Sequence, residues 1–176
     1  MEKLNRTNRK LINKGHIIDY YNDTILINNN EHIYDFIEHK GAAAMIPIDE
    51  EGNILMIKQY RNAIDRFTLE IPAGGKELGE DPIDCAIREC EEETGYKPIE
   101  AHHLIDLYTS IAFCNEKIYI YYSNKLVKTK QNLDDGEFVQ VESYSLEKLI
   151  DLIIEGKIKD SKTISAILAY KQIIDK

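Results

Sequence analysis

Four glutamates stand in the last two turns of a predicted helix: Glu89, Glu91, Glu92 and Glu93. The helix begins at Asp81-Pro82, because Asp is a favoured N-cap and Pro a favoured first helical residue, and it ends at Gly95, a common C-terminal cap. The helix macrodipole disfavours negative charge at this end by roughly 0.3–1 kcal/mol per group. The acidic end therefore indicates a cationic partner.

Three of these carboxylates converge. At about 100° per residue, Glu89, Glu92 and Glu93 share one side of the helix, whereas Glu91 points away from them. The stretch before the helix is rich in glycine, which allows close backbone approaches. Carboxylates that converge beside a glycine loop suit Mg²⁺, which takes oxygen ligands and usually bridges to substrate phosphates. A solvated outer face of an amphipathic helix is the alternative.

The spacing of these residues resembles the Nudix box, G-x5-E-x7-R-E-U-x-E-E-x-G-U, where U is bulky and apolar. Gly74 is followed by Glu80 and then by the run "RECEEETGY" from Arg88 to Tyr96, so every fixed position is filled. Cys90 is smaller than the usual Leu, which affects packing only. The resemblance implies an α+β fold with an α/β/α sandwich around a mixed β-sheet. It also implies Mg²⁺- or Mn²⁺-dependent hydrolysis of a nucleoside diphosphate linked to another group.

The resemblance also implies roles within the box. Glu89 and Glu93 become the principal metal ligands, and Glu92 completes the cluster as a ligand and catalytic residue. The carbonyl of Ala73 adds a further ligand. Arg88 is expected to orient a catalytic glutamate through a charge-assisted hydrogen bond. Two or more metals bridging a pyrophosphate would polarise its phosphorus for attack by a bound water.

Segments outside the box are similar to the ADP-ribose pyrophosphatase group. "IKQYR" followed by "LEIPAGG" implies that Arg61 contacts the substrate diphosphate or ribose, and a surface arginine is the alternative. Glu70 is expected at the edge between metal and substrate, although a strand residue between Leu69 and Ile71 could instead face solvent.

Two downstream loops extend this resemblance. "SIAFCNEKIY" includes Glu116 as a substrate-binding residue, but Ile111 and Ala112 replace the expected Pro and Gly, which weakens the identification of the substrate. "LDDGEFVQV" supplies Glu137 as the general base or last metal ligand, with Asp135 as its partner. Solvated acids in an ordinary turn are the alternative for both.

Secondary structure follows from apolar alternation and turn residues. Strands are predicted at "GHIIDYY", "DTILINNN", "EHIYDFIEH", "AAAMIPIDEEGNILMIKQYR" (two strands around a turn), "RFTLEIPAGG", "HHLIDLY", "KIYIYYSNKL" and "EFVQVESY". Two helices, 146–154 and 161–174, end the chain. Residues 1–40 are predicted as an N-terminal antiparallel β extension and residues 41–176 as the Nudix domain. In the similar group the extension exchanges between two subunits, which implies a homodimer.

The composition limits the classes of function. A net charge of -9 over 176 residues argues against nucleic-acid binding, which needs clustered Lys and Arg. There is no run of 18 apolar residues, so no membrane span is expected. The three cysteines show no metal-ligand spacing and indicate reduced thiols in a cytoplasmic protein.

The predicted activity is Mg²⁺-dependent hydrolysis of ADP-ribose to AMP and ribose 5-phosphate. The nearest alternative is the same chemistry on another nucleotide sugar, such as GDP-mannose or ADP-glucose. A non-enzymatic module that senses ADP-ribose is a further alternative. It is disfavoured because such modules often lose box carboxylates, and here Glu89, Glu92 and Glu93 are all present.

Overall fold

The computed structural model describes residues 4–175. These residues divide into two compact units. The first unit contains the described residues up to Gly41 together with Tyr108–Lys117, and the second contains Ala42–Leu107 with the described residues from Ile118 onward.

The first unit contains a three-stranded antiparallel sheet in the order β1-β2-β3, formed by Asn5–Lys14, Ile18–Ile27 and Asn30–His39. The sequence did not predict β1. It also predicted two strands where β2 is a single strand of ten residues. Asn22-Asp23 does not form a turn, because Asn22 pairs with Asp35 of β3 and the Asp23 carboxylate accepts hydrogen bonds from Arg9 at 2.6 and 2.7 Å.

The turn between β2 and β3 lies further along the chain. Asn28 and Asn29 both adopt the left-handed conformation, with φ of 49° and 62°. Asn tolerates this region better than most residues, and two such residues in succession match the twist of the strands they join.

The second unit contains nine of the strands, a one-turn 3-10 helix and three α-helices. The strands are β4 Ala42–Pro47, β5 Ile54–Arg61, β6 Arg66–Glu70, β7 Ala73–Gly75, β8 Tyr96–Pro98, β9 His102–Tyr108, β10 Lys117–Ser123, β11 Leu126–Lys128 and β12 Val139–Tyr144. The helices are the 3-10 turn Asn62–Ile64, α1 Pro82–Thr94, α2 Leu146–Ile154 and α3 Ser161–Ile174. The sheets run β7-β4-β10-β9, β12-β5-β6 and β11-β8.

Strand β4 is the centre of a layered core. All six of its residues are buried, and alternate side chains enter different clusters. Ala43 and Met45 pack with residues of α1, whereas Ala44 and Ile46 pack with residues of α2 and α3. Since successive side chains of a strand point to opposite faces, helices lie on both sides of the sheet. β10 runs parallel to β4 and β7 antiparallel, so the predicted α/β/α sandwich around a mixed sheet is confirmed.

The predicted turn between β4 and β5 is present, but the two strands separate into different sheets. Gly52 N–H donates to the Asp49 carbonyl at 3.0 Å, and Ile48 and Ile54 form an isolated bridge. β5 then pairs with β6 and β12. This separation places Arg61 and Glu70 in one sheet and the glycine strand β7 in the other.

Both C-terminal helices have the predicted bounds, and each has a side-chain cap. The Ser145 hydroxyl accepts from Lys148 N–H at 3.3 Å, and the Asp160 carboxylate accepts from Thr163 N–H at 3.0 Å. The three cysteines are free thiols, as predicted. Within residues 4–175 no helix has the length and apolar character needed to cross a membrane.

Candidate metal and diphosphate site

The acidic end of α1 is held by its backbone. Gly95 closes the helix in the left-handed conformation, with φ of 73°. Beyond it, Thr129 and Asn132 donate their backbone N–H groups to the carbonyls of Gly95 and Glu92, at 2.8 and 2.9 Å. The last carbonyls of a helix have no partner within it, and here the segment 129–132 supplies one. The glutamate side chains are therefore left for other contacts.

Arg88 is the cation that contacts Glu89 and Glu92. Its Nε and Nη2 donate to Glu80 at 2.8 and 3.1 Å, and its Nη1 donates to Glu89 and Glu92 at 2.7 and 2.9 Å. The hydrogen bond from Arg88 outweighs burial and lowers the pKa of Glu80 to about 2, and the same bond raises the pKa of Arg88. The charge-assisted contacts expected of Arg88 are present, whereas its catalytic role stays a prediction.

Gly74 has a steric reason to be glycine. A Cβ at this position would lie 2.1–2.2 Å from the three carboxyl atoms of Glu89, far inside any normal contact. The Glu89 carboxylate thus occupies the space of the missing side chain. Burial is the main cause that raises the pKa of Glu89, Arg88 lowers it, and the charges of Glu92 and Glu137 raise it further.

Glu93 is the most buried of the four acids, with 5% of its surface exposed. Its Oε2 accepts a hydrogen bond from the backbone N–H of Ala73 at 2.8 Å. Burial raises the pKa of Glu93 to about 8 against this bond, and the charges of Glu89 and Glu137 add to the rise. Burial therefore favours the neutral form of the Glu93 carboxyl. The carbonyl of Ala73 as a metal ligand stays a prediction.

Arg61 and Glu70 form a bidentate ion pair between β5 and β6. Arg61 donates from Nε and Nη2 to the two oxygens of Glu70 at 2.8 and 2.7 Å. Glu70 is 2% exposed, so the alternative that it faces solvent does not hold. Thr68 also donates to Glu70, at 2.6 Å. The Glu70 carboxylate therefore faces protein donors. Its predicted effect on the substrate would be indirect, through its hydrogen bonds to Arg61.

Sequence reasoning missed a second cation on Glu70. Lys162, in the first turn of α3, donates to Glu70 Oε2 and to Asp160 at 3.0 Å. Burial alone would raise the pKa of Glu70, but the bonds from Arg61 and Lys162 lower it to about 2. Apart from a lysine at the end of a helix that the macrodipole disfavours, the sequence contains no signal for this contact.

The loop 134–137 brings Glu137 towards the box. Glu137 accepts a hydrogen bond from Asp134 N–H at 3.1 Å, and its charge raises the pKa of both Glu89 and Glu93. It also lines a cavity of about 450 Å³ with Phe67 and neighbouring residues. Asp135 is exposed in the same turn. The structure thus places Glu137 within electrostatic range of the box acids, while both assigned roles stay predictions.

Glu116 belongs to the first unit, whereas the box lies in the second. Within its own unit it accepts a hydrogen bond from the Thr109 hydroxyl at 2.7 Å and lies 3.6 Å from the ring of His39. The neighbouring Asn115 accepts from His39 N–H at 2.8 Å. Substrate binding by Glu116 remains a prediction.

Two further residues near the box were not predicted as site residues. Glu80 was visible in the spacing itself, and the structure makes it the principal partner of Arg88. Gln131 was not, because it lies in no motif. Its side-chain amide donates to the carbonyl of Glu93 at 2.7 Å and to that of Val139 at 3.3 Å, which joins the end of α1 to the start of β12.

The donor set suits a magnesium ion, because it consists of carboxylate oxygens beside the space at Gly74. Within residues 4–175 no group of three or more Asp, Glu, His or Cys side chains already has a metal-binding arrangement. Arg88 holds Glu89 and Glu92, and the Ala73 N–H holds Glu93. A metal that bound these carboxylates would replace these hydrogen bonds with bonds to the ion.

The chain is similar to known proteins over most of its length. The family profile described as NUDIX domain matches residues 38–167. An ADP-ribose pyrophosphatase of Bacillus subtilis (strain 168) is 36% identical over 162 residues, which cover 90% of this chain and 88% of that protein. A methanol dehydrogenase activator of Bacillus methanolicus is 40% identical over 148 residues, covering 82% of this chain and 80% of that protein.

A solved structure, described as the crystal structure of an ADP compounds hydrolase, superposes with a TM-score of 0.88 over 99% of this chain and 96% of its own, at 18% identity. That likeness supports the fold. The length of the family match and the identity with relatives across most of the chain decide the family. The chain belongs to the NUDIX domain family, and the prediction of a Nudix hydrolase from Gly74, Glu80 and the run from Arg88 to Tyr96 is confirmed.

Proposed function

We propose that this enzyme hydrolyses the pyrophosphate bond of ADP-ribose to AMP and ribose 5-phosphate with Mg²⁺, for which Mn²⁺ can substitute. The observation that carries the proposal is the identity with the Bacillus subtilis ADP-ribose pyrophosphatase across 90% of the chain. The Glu89 carboxylate in the space at Gly74, and the Arg88 guanidinium that Glu89 and Glu92 share, support it.

Residues of the box and the preceding Ala73 would bind the metal and orient its ligands. Glu89, Glu92, Glu93 and the carbonyl of Ala73 would hold the metal, which would supply charge neutralisation and polarisation of the diphosphate. Arg88 would keep Glu89 and Glu92 oriented through its short hydrogen bonds.

Binding and proton transfer would fall to residues outside the box. Arg61 would bind a phosphate oxygen, because its side chain is 42% exposed while Glu70 holds one edge of the guanidinium. Glu137 would accept the proton of the attacking water with Asp135 as its partner, and this requires one hydrogen bond between Glu137 and that water. Glu116 would contribute to substrate binding.

We also propose a homodimer in which residues 1–40 form an extension that exchanges between subunits, and residues 41–176 form the catalytic domain. Within residues 4–41 no apolar side chain is buried, and several are exposed, among them Leu11, Ile17, Ile33 and Tyr34. A small sheet needs a covered apolar face to be stable, and a second copy of the chain would cover it.

The compartment and the partner class follow from composition. Three free thiols favour the reducing cytoplasm, and we place the enzyme there. The net charge of -9 disfavours nucleic acid and anionic membrane surfaces as partners. A small nucleoside diphosphate remains the proposed ligand.

A Mg²⁺-dependent turnover panel tests the activity. ADP-ribose, ADP-glucose, GDP-mannose and NADH are compared under identical conditions, and the products are identified by mass. We expect ADP-ribose to be preferred by about tenfold or more in kcat/KM, equivalent to about 1.4 kcal/mol of transition-state discrimination. A preference for another sugar nucleotide would mean that Ile111-Ala112 has changed the pocket. Binding of ADP-ribose without turnover would support a sensing module instead.

A further inference from the structure

Lys162 occupies a position that is costly for a lysine. It lies in the first turn of α3, where the helix macrodipole disfavours a cation. Its side chain is also only 9% exposed, and lysine is almost never buried to this degree unless it is paired. A local interaction must therefore compensate for both costs.

The compensating contacts are two carboxylates. Lys162 Nζ donates to Oε2 of Glu70 and, at 3.0 Å, to Oδ2 of Asp160. Glu70 in turn accepts four hydrogen bonds, because Thr68 and two nitrogens of Arg61 also donate to it. Glu70 is thus shared between two cations, one buried and one half-exposed.

Arg61 binds Glu70 with only one edge of its guanidinium group. Its hydrogen bonds to Glu70 use Nε and Nη2. Nη1 makes no hydrogen bond to any of the residues 4–175, and 42% of the side chain is exposed. A guanidinium held along one edge is pre-organised to bind an oxyanion along the other.

A second contact, which does not involve Lys162, also attaches α3. The Thr163 hydroxyl accepts from the backbone N–H of Ile71 at 3.0 Å and donates to Asp160 at 2.6 Å. Asp160 also caps the helix through Thr163 N–H. The bond from Ile71 therefore ties α3 to the segment after β6 without the lysine charge, and the bonds to Asp160 cap the helix.

We propose that Lys162 is a positioning residue for substrate binding. By sharing Glu70, it prevents that carboxylate from neutralising Arg61 alone and keeps the free edge of Arg61 aimed at a phosphate oxygen. The inference rests on the proposed function, because the anion is taken to be the diphosphate of the substrate. Loss of the lysine charge would leave one more negative charge beside that diphosphate.

The test combines kinetics with a measurement that needs no turnover. In Lys162→Met we expect KM for ADP-ribose to rise about tenfold while kcat stays within about threefold, because ground-state binding is weakened. Lys162→Arg is expected to restore most of the affinity. Lys171→Met, which removes a lysine further along α3 that pairs with Asp175, is the matched control and should keep the wild-type KM.

NMR of the metal-free protein provides the second readout. The Arg61 Nε–H resonance, identified by its loss in Arg61→Lys, is expected to shift in Lys162→Met and in Lys162→Gln. The Gln variant keeps a hydrogen-bond donor without the charge, so it carries the test if the Met variant does not fold. An unmoved resonance, or an unchanged KM with only a lower melting temperature, would overturn the proposal. A wild type that does not cleave ADP-ribose contradicts the proposed function instead, whatever the resonance does.

Discussion

Glu91 and Glu93 lie two residues apart on α1 in opposite electrostatic environments. Glu93 is 5% exposed, and burial raises its pKa to about 8. Glu91 pairs with Lys97 at 2.9 Å at the surface. Since a helix turns by about 100° per residue, neighbours in the sequence face different surroundings. The same residue type therefore has different surroundings within one turn.

Glu93→Gln should abolish most turnover without loss of the fold. Glutamine has nearly the shape of the protonated carboxyl that the metal-free site favours, so stability should be retained, whereas a metal ligand is lost. We expect kcat with Mg²⁺ to fall by about 100-fold or more, about 2.7 kcal/mol of activation free energy. Steady-state kinetics and a thermal melt measure the two effects.

Glu91→Gln is the matched control for this variant. It makes the same chemical change two residues away, on a side chain that pairs with Lys97 instead of facing the box acids. Its kcat should stay near the wild-type value. An unchanged rate in Glu93→Gln would show that Glu93 is not a metal ligand.

Glu70 should make the fold sensitive to acid. Its pKa is lowered from 4.5 to about 2, so between these values the unfolded chain binds the additional proton. The stability from Glu70 is therefore complete above pH 4.5 and is lost as the pH falls through about 2. In Glu70→Gln this contribution is absent, and the free energy of unfolding should vary less steeply with pH over this window.

Urea unfolding at intervals from pH 2 to 6 measures this slope. Exposed Glu147→Gln serves as the control and should keep the wild-type slope. Equal slopes for Glu70→Gln and the wild type would mean that Glu70 is not held by Arg61 and Lys162 in solution.

At the scale of elements, the contact of β7 with α1 sets the position of Glu89. Gly74→Ala places a Cβ where the Glu89 carboxylate lies, and that flexible side chain must move away. We expect weaker Mg²⁺ activation and a loss of kcat/KM, with little change in melting temperature. A titration of activity against Mg²⁺ concentration measures the effect.

Gly75→Ala is the adjacent control, because a Cβ at Gly75 would meet nothing within 4 Å. It should behave as the wild type in the same titration. If Gly74→Ala also behaves as the wild type, Glu89 is not constrained by β7.

The C-terminal end of α1 depends on the segment 129–132. Gln131→Ala removes the hydrogen bond to the carbonyl of Glu93, which should lower the free energy of unfolding by about 1 kcal/mol. Urea denaturation measures this change. Gln172→Ala, at an exposed position of α3, is the control and should change stability by less than about 0.5 kcal/mol. Equal stability of Gln131→Ala and the wild type would contradict the anchoring role.

For the whole molecule, the exposed apolar residues of the first unit predict association. Sedimentation or light scattering should give a particle of about twice the chain mass of 20.3 kDa. Dilution through the micromolar range should not dissociate it if strands exchange between copies. A mass of 20.3 kDa at every concentration would contradict the homodimer.

The sequence predicted helices and strands well where neighbouring residues determine where the element begins and ends. Pro82 and the left-handed Gly95 mark the ends of α1, although Asp81 at its N-cap makes no side-chain capping bond, and both C-terminal helices have the bounds that periodicity predicts. The prediction was wrong at Asn22-Asp23, which is a typical turn pair by composition. There, cross-strand partners outweigh local preference, because Arg9 neutralises Asp23 within the sheet.

The sequence by itself determined the family and the metal-ligand candidates, because both depend on residue types at fixed spacing along one helix. Only the tertiary structure decided what surrounds those residues. It brought Gly74 against Glu89 and placed Lys162 on Glu70, a residue 92 positions earlier in the chain. Burial and long-range pairing depend on the packing of distant segments, so neither the raised pKa of Glu93 nor the sharing of Glu70 is encoded in any local pattern.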